Sequence, residues 1–394
     1  MRPKNKYLII PILTLLVQYS LKGQDVPDYQ YYDSVTYNLY LSGNWQKLIN
    51  LGQDAINKGT DYKYLRQRIG YARFVTGDYY RSATDFKKAL SFDSYDQFSL
   101  EYLYLSYINT GKEDYSGPIA KRLSPELKKV LDITYIKPVE SIEFEYNFKY
   151  SGTSHRSNPQ YYRLGLGTKL GYRLALLQSF SDYKQVIEIQ QPGSNESIST
   201  RQLGYYSLLK MLSGSNLIIK AGYHYLYNKS GTSVLNGNMF LLSVAPDLNR
   251  FSLEFSGSAL KIEQEKIYQT GLQAGYIFQG RSGVYISSGV YGLFQSRGNN
   301  TIYTQKGGFR MLKRVWIEGN LTVGRLANYN DYNGLYIYNS FDPITLKSGI
   351  TCYIPLNRKI TLWSNYSWER KEYYENNAFN YNQFSYLGGL RWKL

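Results

Sequence analysis

The feature that most constrains this fold is an alternation of apolar and polar residues that begins after Pro138 and continues to the last residue. Residues 142–150 are typical, since Ile, Phe and Tyr alternate there with Glu, Asn and Lys. A period of two predicts β-strands with one apolar and one polar face. The runs extend over about 11 to 14 residues, whereas globular strands average about 5 to 6 and bilayer-crossing strands need about 9 to 11. The pattern therefore predicts an antiparallel barrel that spans a membrane.

About fourteen strands can be counted, although twelve or sixteen remain open because two of the runs are weakly patterned. Short turns, such as residues 213–216, alternate with longer polar segments, such as 184–199 and 328–334. This asymmetry is typical of outer-membrane barrels, whose closure leaves no unpaired edge in lipid. An even count places both ends of the barrel on one side of the membrane. The predicted strands lie near residues 140–151, 160–171, 172–182, 199–212, 216–228, 237–246, 250–262, 267–279, 283–296, 300–312, 314–326, 335–354, 359–371 and 380–394.

Two different segments precede the barrel. Basic residues followed by an apolar run at 7–17 and by Gly23 have the layout of a secretory signal peptide, which we place at residues 1–23. Residues 24–138 show a helical period instead of an alternation. The predicted organisation is a signal peptide, a helical domain and a barrel at residues 139–394.

Within the helical segment, Gly43, Gly77 and Gly111 recur every 34 residues. A helix–turn–helix unit of this length resembles the tetratricopeptide repeat family. The resemblance implies a short α-solenoid of two regular repeats and a divergent third, whose second helix is broken by Pro118 and Pro125. It also implies a module that binds a protein or peptide, with a plain helical spacer as the alternative. Residues predicted to pack these helices are Gly70, Ala72, Gly77, Tyr79, Phe86 and Ala89.

The barrel segment resembles Gram-negative outer-membrane β-barrels in its alternation and in its aromatic-rich last run, residues 384–394. The 44 Tyr residues resemble the composition of outer-membrane proteins of the Bacteroidota. Helical repeats followed by a barrel also resemble two arrangements, the YaiO family and the exporters of exopolysaccharides. These resemblances imply a protein of the cell outer membrane that contacts outer-membrane lipid and holds its helical domain in the periplasm.

No residue pattern predicts catalysis, a cofactor or a metal site. The chain has one cysteine, Cys352, and two histidines, His155 and His224, which are too few for an intramolecular disulfide, a four-ligand zinc site or a multi-histidine centre. Walker, Gly-x-Ser-x-Gly and His-Glu-x-x-His motifs do not occur in the sequence. His224 is predicted to be a luminal side chain and not a catalytic base. We therefore expect no enzymatic activity, no cofactor and no bound metal.

The net charge of +16 is concentrated in the barrel, where residues 139–394 include 27 basic and 16 acidic residues. Basic side chains are predicted to face inward, because Lys or Arg at the bilayer midplane costs about 2 to 4 kcal/mol. The predicted lumen-lining residues are Arg163, Lys169, Lys210, Lys220, Lys306, Arg310 and Lys347.

A basic lumen accounts for the charge without nucleic acid as a partner, and it favours anionic solutes or polymers. The resulting hypothesis is transport or export of a polar or anionic solute or polymer, such as a polysaccharide, with a periplasmic partner docked on the helical domain. Two alternatives stay open. The lumen could be filled by paired side chains, or the barrel could be a non-conducting scaffold or accessory subunit of a multi-protein outer-membrane complex.

Overall fold

The computed structural model describes residues 29–191, 194–278, 283–296, 298–312, 315–374 and 379–394. The predicted signal peptide lies outside the described residues. A helical domain comes first, and a β-barrel follows it. None of the helices in the described ranges is long and apolar enough to cross a membrane. The helices are α1 (Tyr29–Leu41), α2 (Trp45–Asn57), α3 (Lys63–Val75), α4 (Tyr79–Phe92), α5 (Gln97–Asn109), α6 (Glu113–Arg122) and α7 (Pro125–Val130).

The helices form three hairpins whose first residues, Tyr29, Lys63 and Gln97, are 34 residues apart. The 34-residue spacing of Gly43, Gly77 and Gly111 has a backbone cause, because each lies between the two helices of a hairpin with a positive φ of 66°, 87° and 71°. A left-handed φ suits glycine, which has no Cβ to clash. The sequence periodicity therefore marks the turn of each hairpin.

The prediction that Pro118 breaks the last helix of the third hairpin is wrong. Helix α6 continues through Pro118 to Arg122, and it ends at Leu123, whose backbone is extended. Proline lacks an N–H and strains a helix interior, but a ten-residue helix packed against α5 tolerates one. Pro125 does mark a boundary, because it occupies the first turn of α7, a position that suits proline.

The predicted packing residues meet between α3 and α4. Phe86, Ala72 and Ala89 are fully buried, and a Cβ placed on Gly70 would lie 3.0 Å from the Phe86 ring. Tyr79 packs against Phe74, with ring centroids 5.2 Å apart. The absent side chain at position 70 thus creates the space that the Phe86 ring fills, so the two helices approach closely.

Within the described residues, fourteen antiparallel strands close into a barrel. Each strand of the wall pairs with the next along the chain, except that Val315–Val323 (β11) pairs with Ile344–Pro355 (β14), and Lys137–Ser151 (β1) pairs with Asn380–Lys393 (β16) to close the ring. Two short strands, Asn330–Asp331 (β12) and Tyr336–Ile337 (β13), form a separate hairpin. The strands are β1 (Lys137–Ser151), β2 (Gln160–Lys169), β3 (Leu174–Gln191), β4 (Ser194–Ser213), β5 (Leu217–Ser230), β6 (Ser233–Leu248), β7 (Phe251–Ile262), β8 (Glu265–Ile277), β9 (Tyr285–Phe294), β10 (Asn300–Met311), β11 (Val315–Val323), β12 (Asn330–Asp331), β13 (Tyr336–Ile337), β14 (Ile344–Pro355), β15 (Ile360–Glu372) and β16 (Asn380–Lys393).

The two faces of the barrel wall differ in character. Large apolar side chains point outward and are exposed on the surface of the protein, whereas their neighbours along each strand point inward and are covered. A continuous outer apolar surface of this kind is stable only when another apolar phase covers it. Members of this outer band include Phe180, Phe240, Leu242, Phe255, Ile350 and Tyr386.

The two ends of the barrel also differ. At one end, here called the turn end, the connections are short and the helical domain is in contact with the rim. Lys112 and Lys87 of the helical domain pair with Asp247, and Arg250 pairs with Asp78 at 2.9 Å. The longest connections, residues 152–159 and 324–343, lie at the opposite end, here called the loop end, together with two-residue connections such as 231–232 and 263–264. The ion pairs with the rim thus hold the helical domain at one mouth of the barrel.

Two predicted connections differ in the structure. The polar segment 184–199 was expected to be a loop, but β3 and β4 extend through much of it as a hairpin. A strand was expected over 335–354, but β14 begins only at Ile344. Residues 335–343 belong instead to a long connection that folds into the barrel. Their side chains are buried or half-buried there without forming a strand of the wall.

Candidate site in the barrel lumen

Residues 324–343, which connect β11 to β14 at the loop end and are here called the inward segment, fold into the lumen. The carbonyl of Asn333 accepts from the Tyr206 hydroxyl at 2.9 Å, and the carbonyl of Gly334 accepts from Nδ1 of His224 at 2.7 Å. Each of these bonds joins the tip of the inward segment to a strand of the wall. His224 is buried there and has a positioning role, because its ring holds a backbone carbonyl.

A pair of hydrogen bonds fixes the inward segment on the β8 side. Gln269 donates from Nε2 to the carbonyl of Asn330 and accepts from its backbone N–H, both at 3.0 Å. The side chain of Asn330 donates to Ser258 at 2.8 Å. The glutamine amide therefore satisfies the backbone of the inward segment as a neighbouring strand would.

Apolar packing attaches the inward segment to one half of the wall. Tyr329 and Leu326 are fully buried against side chains that point inward from β4 to β10. Their burial stabilises the segment, since a buried Leu or aromatic side chain contributes about 1.5 to 3 kcal/mol. The wall residues of this cluster are Tyr206, Leu208, Leu226, Met239, Leu241, Leu260, Ile267, Leu293 and Ile302.

The other half of the lumen holds a polar cavity of about 550 Å³ between the inward segment and a wall formed mainly by β11, β14 to β16 and β1 to β3, with single side chains from β4, β5 and β10. Its lining reaches from Lys371 near the loop end to Lys393 at the turn end. Charged groups on its surface are seven basic residues, Lys149, Arg163, Lys306, Lys347, Lys371, Arg391 and Lys393, and three acidic ones, Glu143, Glu145 and Asp331. The excess of basic groups gives the cavity a positive potential.

The cavity is packed more tightly at the loop end than at the turn end. Arg156 donates to both oxygens of Asp342 at 2.6 and 3.2 Å, and each of these residues is 3% exposed. The rings of Phe341 and Tyr373 lie against the guanidinium. In contrast, Arg391 at the turn end is exposed. The cavity therefore resembles a vestibule that opens toward the helical domain.

The structure places three of the predicted basic residues on the cavity wall. Arg163 donates to Glu145 at 2.7 and 2.8 Å and to Glu143 at 2.9 Å. Glu145 also accepts from the Tyr336 hydroxyl at 2.8 Å, which links this ion pair to the inward segment. Such a buried network fixes geometry, because every group in it has a partner.

Lys306 and Lys347 contact aromatic residues of the inward segment. The Nζ atom of Lys306 lies 3.8 Å from the centroid of the Tyr332 ring, a cation–π distance. Nζ of Lys347 donates to the Tyr338 hydroxyl at 3.0 Å. Lys306 also lines a second cavity, of about 300 Å³, on the other side of the inward segment.

The remaining four predicted residues do not line the larger cavity. Lys220 pairs with Glu254 at 2.8 Å on the opposite wall, and Lys210 pairs with a carboxylate of α6 at 3.2 Å. Lys169 and Arg310 lie at the turn end of β2 and β10. The basic residues thus divide between the cavity, internal ion pairs and the rim.

Sequence reasoning missed Lys371 and the whole inward segment. Lys371 has the same strand parity as Glu369 in β15, and this parity would have placed it inside. The inward segment left no such signal, because its contacts are with distant strands. Across the described residues, no cluster of three or more His, Cys, Asp or Glu side chains is arranged to hold a metal ion.

No protein-family model and no curated protein matches this chain. Solved structures with a similar fold include the KdgM porin in complex with disordered oligogalacturonate, which is 11% identical over 64% of this chain and 99% of that chain, with a TM-score of 0.34. A bacterial polysaccharide outer membrane secretin is 10% identical over 65% and 99%, with a TM-score of 0.42. The P. putida toluene transporter TodX is 7% identical over 66% and 91%, with a TM-score of 0.47. Likeness at this level assigns no ligand and no activity to this chain.

Proposed function

We propose that this chain is an outer-membrane transport protein that passes a polar or anionic solute, or a polymer such as a polysaccharide, along the basic cavity beside its inward segment. The outer apolar band is the surface that lipid would cover, because strands of this kind alternate apolar-out and polar-in. The single observation that carries the proposal is the cavity, whose lining extends from Lys371 to Lys393 with seven basic and three acidic residues.

Because the inward segment divides the lumen, a solute would have a path on one side of it only. Apolar packing of Tyr329 and Leu326 holds the inward segment against the β4–β10 side, so solute would pass on the opposite, polar side. Narrowing a barrel with a folded-in segment places charged groups close to the solute, where their field is strongest. We assign the chain no catalytic role.

We place the helical domain in the periplasm, where it would dock a protein partner. The short turns of outer-membrane barrels face the periplasm, and the helical domain is in contact with the turn end. The domain also presents exposed aromatic side chains, such as Tyr64 and Tyr95, the latter 73% exposed. Aromatic side chains are enriched where proteins bind one another.

One observation favours a second function, a non-conducting scaffold of an outer-membrane complex. Arg156, Asp342 and Lys371 are almost completely buried at the loop end, and such packing supports a barrel that is closed there. A barrel that stays closed there would serve as an anchor for the helical domain and the outer loops.

Planar-bilayer recording separates the two functions. The full-length chain and a form that lacks residues 24–138 are reconstituted, and the reversal potential is measured across a potassium chloride gradient. Transport predicts discrete currents that select for chloride. Absence of current from both forms would contradict the conduit and favour the scaffold. Recovery of a periplasmic or outer-membrane protein on immobilised residues 24–138 tests the docking role, and a matrix-only column is its control.

A further inference from the structure

Three lysines from one side of the wall lie at the loop end of the larger cavity. Lys347 of β14, Lys371 of β15 and Lys149 of β1 all line it, and the strand between them, β16, completes a four-strand patch of wall. Glu369 is the carboxylate among them. It is fully buried and lies 2.9 Å from Nζ of Lys149 and 3.5 Å from Nζ of Lys347.

Lys371 is the lysine of this group whose side chain has no direct hydrogen-bonding or ion-pair partner among the described residues. That side chain lines the cavity and is 2% exposed. Asp342 is the other carboxylate nearby, but its oxygens already accept from Arg156 at 2.6 and 3.2 Å and from the Tyr381 hydroxyl at 2.8 Å. Glu369 therefore pairs directly with two of the three ammonium groups, and Lys371 is left without a direct partner among the described residues.

A buried cation without a partner costs free energy, and an anion in the cavity would remove that cost. One neutral donor lies on the same strand as Lys371. The hydroxyl of Ser367, which also lines the cavity, is buried and has no partner among the described side chains. Separated donors of this kind fit a group with several acceptor oxygens better than a single-atom ion.

We infer that Lys149, Lys347 and Lys371 form a binding site for an oxyanion group, such as a carboxylate, sulfate or phosphate, carried by a solute in the lumen. Glu369 neutralises part of the positive charge of the lysines and thereby limits the affinity of the site for an anion. Lysine suits such a site, because its ammonium is a point charge that accepts many ligand geometries. The inference rests on the proposed function only in that the anion must enter the lumen.

Sulfate binding to the full-length protein in detergent tests this site without any measurement of current. Sodium sulfate is titrated calorimetrically at constant ionic strength, which sodium chloride maintains. Saturable binding is expected for the unmodified chain. Lys371→Met should weaken it by about tenfold or more, because a hydrogen bond to a charged group is lost. Removal of an unpaired buried charge should leave folding intact.

Two further variants make the outcome decisive. Glu369→Gln removes the competing carboxylate with little change in shape and should tighten sulfate binding by about tenfold, an effect that a purely structural role would not produce. Lys169→Met makes the same charge change as Lys371→Met outside the cavity and should alter the affinity by less than about twofold. Equal weakening in both lysine variants, or no saturable binding, would overturn the site.

The binding result and the current separate the two proposals. Sulfate binding without current would leave the site standing and contradict transport. Chloride-selective current without sulfate binding would leave transport standing and contradict the site.

Discussion

At the scale of single residues, neighbours along a strand face opposite environments. Ile350 of β14 is 60% exposed on the outer surface, whereas Thr351, the next residue, is 7% exposed and lines the larger cavity. Successive side chains of a strand point to opposite faces, so a shift of one position exchanges the outer apolar surface for the lumen. The polarity of each of these two residues therefore matches the face of the barrel wall on which it lies.

We predict that Ile350→Lys impairs membrane assembly, whereas Thr351→Lys does not. A lysine at position 350 would lie in lipid near mid-strand at a cost of about 2 to 4 kcal/mol. At position 351 it would enter a polar cavity across from Glu318, the residue paired with Thr351 on β11. The heat-modifiable gel shift of folded barrels measures assembly of each variant. Equal assembly of the two would contradict the assigned faces.

At the scale of elements, helix α6 rests directly on the turn between β2 and β3. A Cβ on Gly117 would lie 1.5 Å from the carbonyl oxygen of Tyr172, a backbone atom that no rotamer change can move. Tyr115 of the same helix donates to the carbonyl of Ala245 near the end of β6 at 3.2 Å, so α6 contacts the rim at two places. The glycine therefore allows helix and barrel backbone to meet.

Gly117→Ala is predicted to separate the helical domain from the barrel without unfolding either. Alanine suits a helix better than glycine by about 1 kcal/mol, so any loss must come from the contact with the turn. Faster proteolysis between residues 131 and 137 would report separation, with barrel assembly unchanged. Gly171→Ala is the control, because its Cβ would meet nothing nearer than 3.9 Å. Unchanged proteolysis of Gly117→Ala would show that the contact between α6 and the β2–β3 turn does not hold the helical domain on the barrel.

At the scale of the whole molecule, the inward segment determines how much of the lumen is free. Its Tyr329 ring lies between the rings of Tyr291 and Tyr338, with centroids 5.5 and 6.0 Å apart, and the hydroxyl has no partner among the described residues. The ring thus acts as an apolar anchor. Hydrogen bonds from Gln269 and His224 orient the segment around it.

Tyr329→Ala is predicted to loosen the inward segment, because deletion of a buried aromatic side chain costs about 3 to 5 kcal/mol. Single-channel conductance should then rise and fluctuate more than in the unmodified chain. Tyr329→Phe retains the ring and should conduct like the unmodified chain. If Tyr329→Ala also leaves the conductance unchanged, the inward segment does not limit the path.

The barrel and the helical hairpins could be predicted from the sequence because their signals are local. Alternation along β1 places Glu143 and Glu145 inside whatever the rest of the chain does, and the left-handed turns at Gly43, Gly77 and Gly111 mark the hairpins by themselves. The local rule that proline breaks a helix gave a wrong prediction at Pro118, because packing of α6 against its neighbours keeps this short helix intact.

The sequence by itself determined a basic barrel of long strands, because a period of two and a charge that cannot face lipid act residue by residue. Only the tertiary structure decided which part of the lumen is free and which basic groups face it. The bond from Tyr336 to Glu145 joins residues 191 positions apart, and the lysines around Glu369 come from three different strands. A local sequence pattern does not predict these long-range contacts, because closure of the barrel and the apolar packing of the inward segment bring the residues together.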